Sequence, residues 1–230
     1  MNSLIILQAR MKSKRLHGKV LKKINKIPLT VLCAKRLNNT NIPVIVAIPK
    51  TKENILLKKI LRNNRLKTIC GNHLNVFDRY YKIIKNLKDD TIIVRATSDN
   101  PLPEGFFVKK MINLFNKKKL DYLDTTAKNF SLPYGLALQI FRAKTFKKIN
   151  RTKLTRFDKE HVPTIFSKME NIKTFKKKYL EYKNIYSKEK FSIDTSEDYK
   201  RMKKVFSYTK KTFSEQFQVL IKRYYDEKRI

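Results

Sequence analysis

Gln8-Ala9-Arg10-Met11-Lys12-Ser13-Lys14-Arg15-Leu16-His17-Gly18-Lys19 follows the apolar run Leu4-Ile5-Ile6-Leu7 and precedes Val20 to Leu37, whose later part reads as a helix. The apolar run has the length of a buried strand. A basic loop therefore leaves the carboxyl end of a first strand, the edge at which open α/β sheets bind ligands. The loop carries Arg10, Lys12, Lys14, Arg15 and Lys19. Cations so crowded repel one another unless an anion sits among them, and a polyphosphate suits both Arg forks and Lys point charges. Gln8 and Ser13 add hydrogen-bond donors, and Gly18 offers a tight turn. The plain alternative is a solvated charge run. A Walker loop is excluded, because Gly-x-x-x-x-Gly-Lys-Ser/Thr is absent.

Outward from this loop the chain alternates. Thr30 to Leu37 reads as a helix, and Pro43 to Pro49 as a second buried parallel strand bounded by prolines. Lys52 to Arg62 is helical by period, with Ile55, Leu56, Ile60 and Leu61 on or near one face. Leu66 to Cys70 reads as a third strand. Asn75 reads as the cap of a helix from Val76 to Leu87, with Val76, Tyr80, Ile83, Ile84 and Leu87 inward. Thr91 to Arg95 is a fourth strand. Pro103 to Asn116 is a helix that packs Phe106, Phe107, Met111 and Leu114, and Asp121 to Thr125 is a short strand. Phe191 to Ile193 alternates like a strand. Thr212 to Glu227 reads as an amphipathic helix, with Phe213, Phe217, Leu220 and Ile221 inward, that closes the domain or meets a second subunit in a homodimer. Leu180 to Lys190 is too basic and aromatic to assign. The alternation predicts an α/β fold with a mostly parallel, doubly wound sheet. No repeat or linker divides the chain, so residues 1–230 read as one domain.

Composition narrows the partners. No apolar run nears the ~20 residues of a membrane span, and the first strand begins at once, with no signal peptide, so a cytoplasmic protein is expected. Cys33 and Cys70 match no metal spacing and read as small buried side chains in a reducing compartment. The net charge of +35 points to nucleic acid or an anionic membrane if taken literally. The lysines, however, spread along the whole chain and outnumber Arg, whereas phosphate forks favour Arg. With Asn and Ile also abundant, a background bias outweighs a nucleic-acid function, although the charge would still draw in a triphosphate. Gly is scarce, at four residues, so each has a claim to a backbone role.

Further polar stretches carry chemistry. Arg95-Ala96-Thr97-Ser98-Asp99-Asn100-Pro101 sits at a strand's carboxyl end. A carboxylate facing a cationic loop suits Mg²⁺, which takes one or two carboxylates plus substrate phosphates. An Asx-turn before proline is the structural alternative for Asp99. In Phe191 to Tyr199, Thr195 or Ser196 can cap a helix whose first turn holds Glu197 and Asp198, while Asp194 precedes the helix and is not needed for it. Asp158-Lys159-Glu160-His161-Val162 begins a helix, and its Glu-His pair reads either as an acceptor contact or as a helix-surface hydrogen bond.

Together these stretches resemble one family. Gln8 to Met11, Ser13, Arg15-Leu16 and Gly18 to Leu21 resemble the opening motif of the cytidylyltransferases. The resemblance is to the group named after spore coat polysaccharide biosynthesis protein F, related to the 3-deoxy-manno-octulosonate and acylneuraminate cytidylyltransferases. Gly71-Asn72 with Val76 to Tyr81 resemble Gly-Ser-x-x-Asp-Val-Leu-x-Arg-Tyr, and Arg95 to Pro101 resemble Arg-x-Thr-Gly-Asp-x-Pro with Ser98 in place of Gly. Pro133 to Phe141, Asp158 to Val162, and Ile193 to Tyr199 resemble Pro-Asp-Gly-Leu-Asp-Val-Glu-Val-Phe, Arg-Glu-His-Val and Val-Asp-Thr-Pro-Glu-Asp-Leu, with Ser196 for Pro in the last.

The resemblance implies a nucleotide-diphospho-sugar transferase (GT-A-like) fold. It also implies Mg²⁺-dependent transfer of CMP from CTP to a sugar acid, with release of pyrophosphate, in surface polysaccharide or glycan synthesis. It implies that Arg10, Arg15 and Lys19 neutralise the triphosphate with Asp99 as a further catalytic group, and that Asp99 and Asp194 hold the metal. Gln8, Ala9, Ser13, Gly71, Asn72, Arg79, Thr97 and Ser98 would complete the nucleotide site, with Arg79 near the base or else an exposed helix cation. Tyr134, Gly135, Gln139, Glu160 and His161 would meet the acceptor. The acids of the family pattern are replaced here by Asn75, Tyr134, Ala137 and Gln139. A relative that binds nucleotide but has a lost or retuned acceptor site is the alternative those replacements raise.

Overall fold

The structure is a computed structural model that describes residues 2–126, 130, 132–177, 179 and 190–227. The first strand, β1 (Ser3–Gln8), buries Leu4 to Leu7. Its loop ends in a 3-10 turn at Lys19–Leu21, followed by the short pair β2 (Lys23–Ile24) and β3 (Ile27–Pro28) and by α1 (Leu29–Leu37). Strands and helices then alternate through β4 (Val44–Pro49), α2 (Ile55–Asn63), β5 (Thr68–Gly71), α3 (Val76–Ile84), β6 (Ile92–Thr97) and α4 (Gly105–Lys117). After β7 (Tyr122–Asp124) and β8 (Gln139–Arg142) come α5 (Ala143–Lys147), α6 (Arg156–Glu160), α7 (Pro163–Ser167), α8 (Ser196–Ser207) and α9 (Phe217–Asp226).

The sheet order is β5-β4-β1-β6-β8-β7. The first four are parallel, β8 pairs antiparallel with β6, and β7 pairs antiparallel with β8. Strand side chains alternate between faces, and each face has its own core. One gathers Ile5, Leu7, Val46 and Val94 with Leu32, Phe107, Met202 and Leu220 of α1, α4, α8 and α9. The other gathers Ile6, Ala47, Ile93 and Phe141 with Tyr80, Phe146 and Phe166 of α3, α5 and α7. Burying such a side chain stabilises the fold by about 1.5–3 kcal/mol, which is why the four-residue apolar run of β1 occupies the sheet centre. The predicted α/β, mostly parallel, doubly wound architecture is therefore the observed one. Among the described residues no helix is long and apolar enough to cross a membrane. Cys33 is buried, whereas Cys70 is only half-buried, and both are free.

Several boundaries and faces differ from the sequence reading. In α2, Leu57 and Leu61 are buried, whereas Ile55 is 65% and Leu56 53% exposed. Buried Asn54 lies on the same helical stripe as Leu57 and Leu61, and its bond to the Met11 N–H fixes that side inward. In α4, Phe106 is exposed while Phe107 is buried, and Glu104 caps both their N–H groups. The last helix begins at Phe217, not Thr212. The carbonyls of Thr212 and Glu215 accept from Arg36, and this ties the approach to the helix onto α1. Phe191 to Ile193 join no strand ladder. Their amides go to loops instead, Phe191 to the Tyr134 carbonyl at 2.6 Å and Ile193 to that of Asp99 at 2.8 Å. The stretch 180–189, unassigned from sequence, and Ser131 lie outside the described residues.

Candidate active site

The strand order reverses between β1 and β6, so the loops leaving these two neighbours open a crevice at their carboxyl ends. An open cavity of about 700 Å³ lies there. Gln8, Ala9, Arg10, Ser13, Arg15, Lys19, Thr97, Ser98, Asp99, Tyr134, Gly135, Gln139, Glu160, His161 and Asp194, all picked out from sequence, line it. So do Lys12 and Lys14 of the same loop, and Arg95.

Lys19 ties the crevice together. Gly18, at φ 62, opens the 3-10 turn that presents it. The ammonium donates to Asp99 Oδ2 at 2.9 Å, the Ile193 carbonyl at 2.9 Å and Asp194 Oδ1 at 3.1 Å. All three of its N–H bonds are thereby used, and one nitrogen joins the loops of β1 and β6 to the segment before α8. The Ile193 N–H closes the same junction by donating to the Asp99 carbonyl.

Asp194 is surrounded by cations. Arg15 Nη2 lies 2.9 Å from Oδ1, and Lys190 Nζ lies 3.1 Å from Oδ2. Burial pushes this carboxyl's pKa up, but hydrogen bonds from Lys190 and Lys19, with their charges, outweigh burial and hold it below the usual range. Asp198 positions the segment. In a capping box with Thr195 it starts α8, and its Oδ2 also accepts from the Asp194 N–H at 2.9 Å. The capping expected of Thr195 and Asp198 thus supports the neighbouring carboxylate.

The Asp99 loop is fixed from beneath. Buried Arg36 donates to the carbonyls of Pro101 and Leu102, just past Asp99, and to those of Thr212 and Glu215. Burial pushes its pKa down to about 10, yet the guanidinium remains charged at neutral pH. Its four carbonyl acceptors compensate the desolvation.

The donor set fits a divalent cation. Asp99 and Asp194 are hard oxygen donors converging on one point, which the Lys19 ammonium holds. Among the described residues no group of three or more His, Cys, Asp and Glu side chains forms a metal cage. Two carboxylates completed by phosphate oxygens is a usual Mg²⁺ environment.

Residues 4–230 match the cytidylyltransferase family profile. The chain belongs to the cytidylyltransferase family. It is 32% identical to an uncharacterized protein of Methanocaldococcus jannaschii over 85% of this chain and 79% of that one. It is 25% identical to the spore coat polysaccharide biosynthesis protein SpsF of Bacillus subtilis over 88% and 85%. The structure resembles that of a cytidylyltransferase from Leptospira borgpetersenii with a TM-score of 0.86 at 25% identity, covering 100% of this chain and 96% of that one. The protein is accordingly a nucleotidyltransferase with the nucleotide-diphospho-sugar transferase fold.

The remaining candidate residues of this cytidylyltransferase fall into two groups. Gly71 and Asn72, at the end of β5, and Arg79, on α3, lie outside the cavity lining. Arg79 is not an exposed helix cation. It is buried, packs against Gly71 and donates to the Asn72 carbonyl at 3.1 Å. Burial, and to a lesser degree the charge of nearby Arg10, lower its pKa.

The second group lines the cavity. Glu160 closes α6, which starts at Arg156 with Asp158 in a capping box with Thr155, two residues earlier than the predicted start. Glu160 meets Arg10 Nη1 at 3.4 Å, and both side chains are half-exposed. His161 follows the helix, its ring beside Phe157. Gly135, at φ 115, passes the backbone so closely that a Cβ there would lie 2.5 Å from the Phe191 carbonyl carbon.

Sequence reasoning picked out Gln8 and Gln139 but missed the row that joins them through Arg95 and on to Asp124. Gln8, Arg95, Gln139 and Asp124 share one sheet face on β1, β6, β8 and β7. Arg95 pairs in register with Gln139, and Gln139 with Asp124. Arg95 Nη1 donates to Gln139 Oε1 at 2.6 Å and Nη2 to Gln8 Oε1 at 3.3 Å, while Gln139 Nε2 donates to Asp124 Oδ1 at 3.0 Å. A signal was present, since Arg95 is a charge set directly after the apolar run Ile92-Ile93-Val94.

Proposed function

We propose that this nucleotidyltransferase moves CMP from CTP to a sugar acid in a Mg²⁺-dependent reaction serving surface polysaccharide or glycan synthesis, with the chain acting as one catalytic unit. The observation that carries the reading is the convergence of Asp99 and Asp194 on Lys19 beneath a loop of cations. Arg10, Arg15 and Lys19, with Lys12 and Lys14 nearby, bind the triphosphate and spread its charge. Gln8, Ser13, Thr97 and Ser98 supply hydrogen bonds along the nucleotide. Glu160 and His161 face the acceptor.

Asp99 and Asp194 would hold the metal, which supplies charge neutralisation at the phosphates. The acceptor hydroxyl oxygen bonds to the α-phosphorus and releases its proton to solvent, the bond from that phosphorus to the bridging oxygen breaks, and pyrophosphate carries off the electron pair. The chain's cations stabilise charge on the departing oxygens and hold the reactants in line, the main source of rate in such transfers.

The neutral side chains of Tyr134, Ala137 and Gln139, where the family pattern has acids, favour a second reading in which the acceptor site is retuned or lost. Thermal midpoints with each of the four nucleoside triphosphates, with and without Mg²⁺, test the nucleotide reading. A ligand at 100 times its Kd adds about 2.7 kcal/mol. The expected result is a shift selective for CTP and larger with Mg²⁺. Equal shifts with any polyanion, indifferent to Mg²⁺, would overturn it and point to a general charge patch. Pyrophosphate release across a panel of sugar acids separates an active enzyme from a relative that only binds nucleotide.

A further inference from the structure

We infer that Arg95 is the specificity residue of the acceptor site and receives the acceptor's carboxylate. This rests on the sugar-acid reading above and assigns its anion to a place in the cavity. A guanidinium is always charged and carries five N–H donors. Among the described residues Arg95 has no carboxylate partner. Its two side-chain bonds go to the neutral amide oxygens of Gln139 and Gln8. Its Nε is buried with no partner, and the neighbouring Tyr80 hydroxyl, also buried, forms no well-aligned bond with it. Yet Arg95 lines the cavity. A partly buried cation in that condition is stabilised by an incoming anion more than by water.

Gln139 explains why the charge is left over. Its amide oxygen must face the cation and its amide nitrogen the carboxylate of Asp124. That orientation keeps Asp124 one residue away from Arg95. The carboxylate is occupied as well, with Oδ1 also taking the N–H and hydroxyl of Thr126 and Oδ2 the Tyr122 hydroxyl. A glutamate at 139, the residue type of the family pattern, would neutralise Arg95 directly. The glutamine leaves its positive charge for the substrate. Gln8 shares in this, because its oxygen faces Arg95 and, among the described residues, its NH₂ has no acceptor.

The test compares an acid with its neutral twin. Wild type, Arg95→Gln, Arg95→Lys and Gln139→Glu are titrated calorimetrically with 3-deoxy-manno-octulosonate, N-acetylneuraminate and their methyl esters, with CMP present. The wild type should bind an acid at least tenfold more tightly than its ester. Arg95→Gln and Gln139→Glu should erase that preference, and Arg95→Lys should keep part of it. CTP binding, read by thermal shift, should persist in all four proteins. An acid preference that survives in Arg95→Gln overturns the inference while leaving the sugar-acid reading intact. Equal or absent binding of acid and ester by a wild type that binds CTP overturns the inference together with the acceptor class. Loss of CTP selectivity in the wild type strikes the proposed function instead.

Discussion

The two ends of the cavity are built on opposite electrostatic plans. At the Lys19 end two carboxylates and one ammonium answer each other from within the protein, with Arg15 and Lys190 also on Asp194. At the Arg95 end neutral amides keep one cation apart from the nearest carboxylate. A ligand must exchange partners at the first end and complete a set at the second. The first plan suits a group that brings its own cation and leaves after reaction. The second suits a group that is chosen by charge.

Breaking the saturated end should have the largest effect. Asp99→Asn should lower kcat by about 10²-fold or more, in the range seen when a charge-stabilising group is removed. Its thermal midpoint should stay close to wild type, since Asp99 is a half-exposed acceptor. Full pyrophosphate release by this variant would remove Asp99 from the chemistry. Lys19→Met should come next. Two carboxylates would face each other without their shared cation, at a cost of about 1–3 kcal/mol in stability. Added Mg²⁺ should restore more of the midpoint in this variant than in wild type, because the two carboxylates would hold the ion in place of the ammonium. A midpoint blind to Mg²⁺ would refute the fit of the donor set.

A smaller effect follows from Asp194. Its carboxyl titrates below the ordinary value of 3.8, so the folded chain holds the proton less tightly than the unfolded one. The resulting stability is present above that value and is lost as pH falls through the folded-state pKa. Urea midpoints measured from about pH 6 down to about pH 3 should therefore fall more steeply in wild type than in Asp194→Asn. Parallel curves would show that the surrounding cations do not favour the charged form. The smallest effect belongs to Arg10 and Glu160, half-exposed and 3.4 Å apart. Glu160→Gln should change stability by less than ~1 kcal/mol, as for other surface pairs. A larger loss in chemical denaturation would mean that this contact fastens α6 over the cavity.

Much of the saturated end could be read in the sequence because its residues sit in short polar runs directly after apolar strands. Gln8 to Lys19, Thr97 to Asp99 and Asp194 each announce a strand end or a helix start, and the crevice collects them. The Arg95 row could not be read that way. Its contacts depend on the antiparallel register of β6 with β8, partners 44 residues apart. The burial of Arg79 could not be read for a different reason. This residue falls on the buried stripe of α3 with Val76, Tyr80 and Ile83, at a spacing that apolar periodicity alone assigns only to hydrophobic residues. In α2 the apolar pattern could not tell which leucine pair Asn54 would turn inward.

The junction at Lys19 also imposes an order on assembly. The partners of this ammonium lie 80 and 175 positions further along the chain. A ribosome delivers β1, its cationic loop and the Asp99 strand end long before it delivers Asp194. Until then the emerging protein carries a concentrated positive loop with only half of its counter-charge. Asp194, the second of the two carboxylates to be synthesised, is thus the one that completes the counter-charge of the Lys19 ammonium, and a chain released early would hold that cation with Asp99 alone.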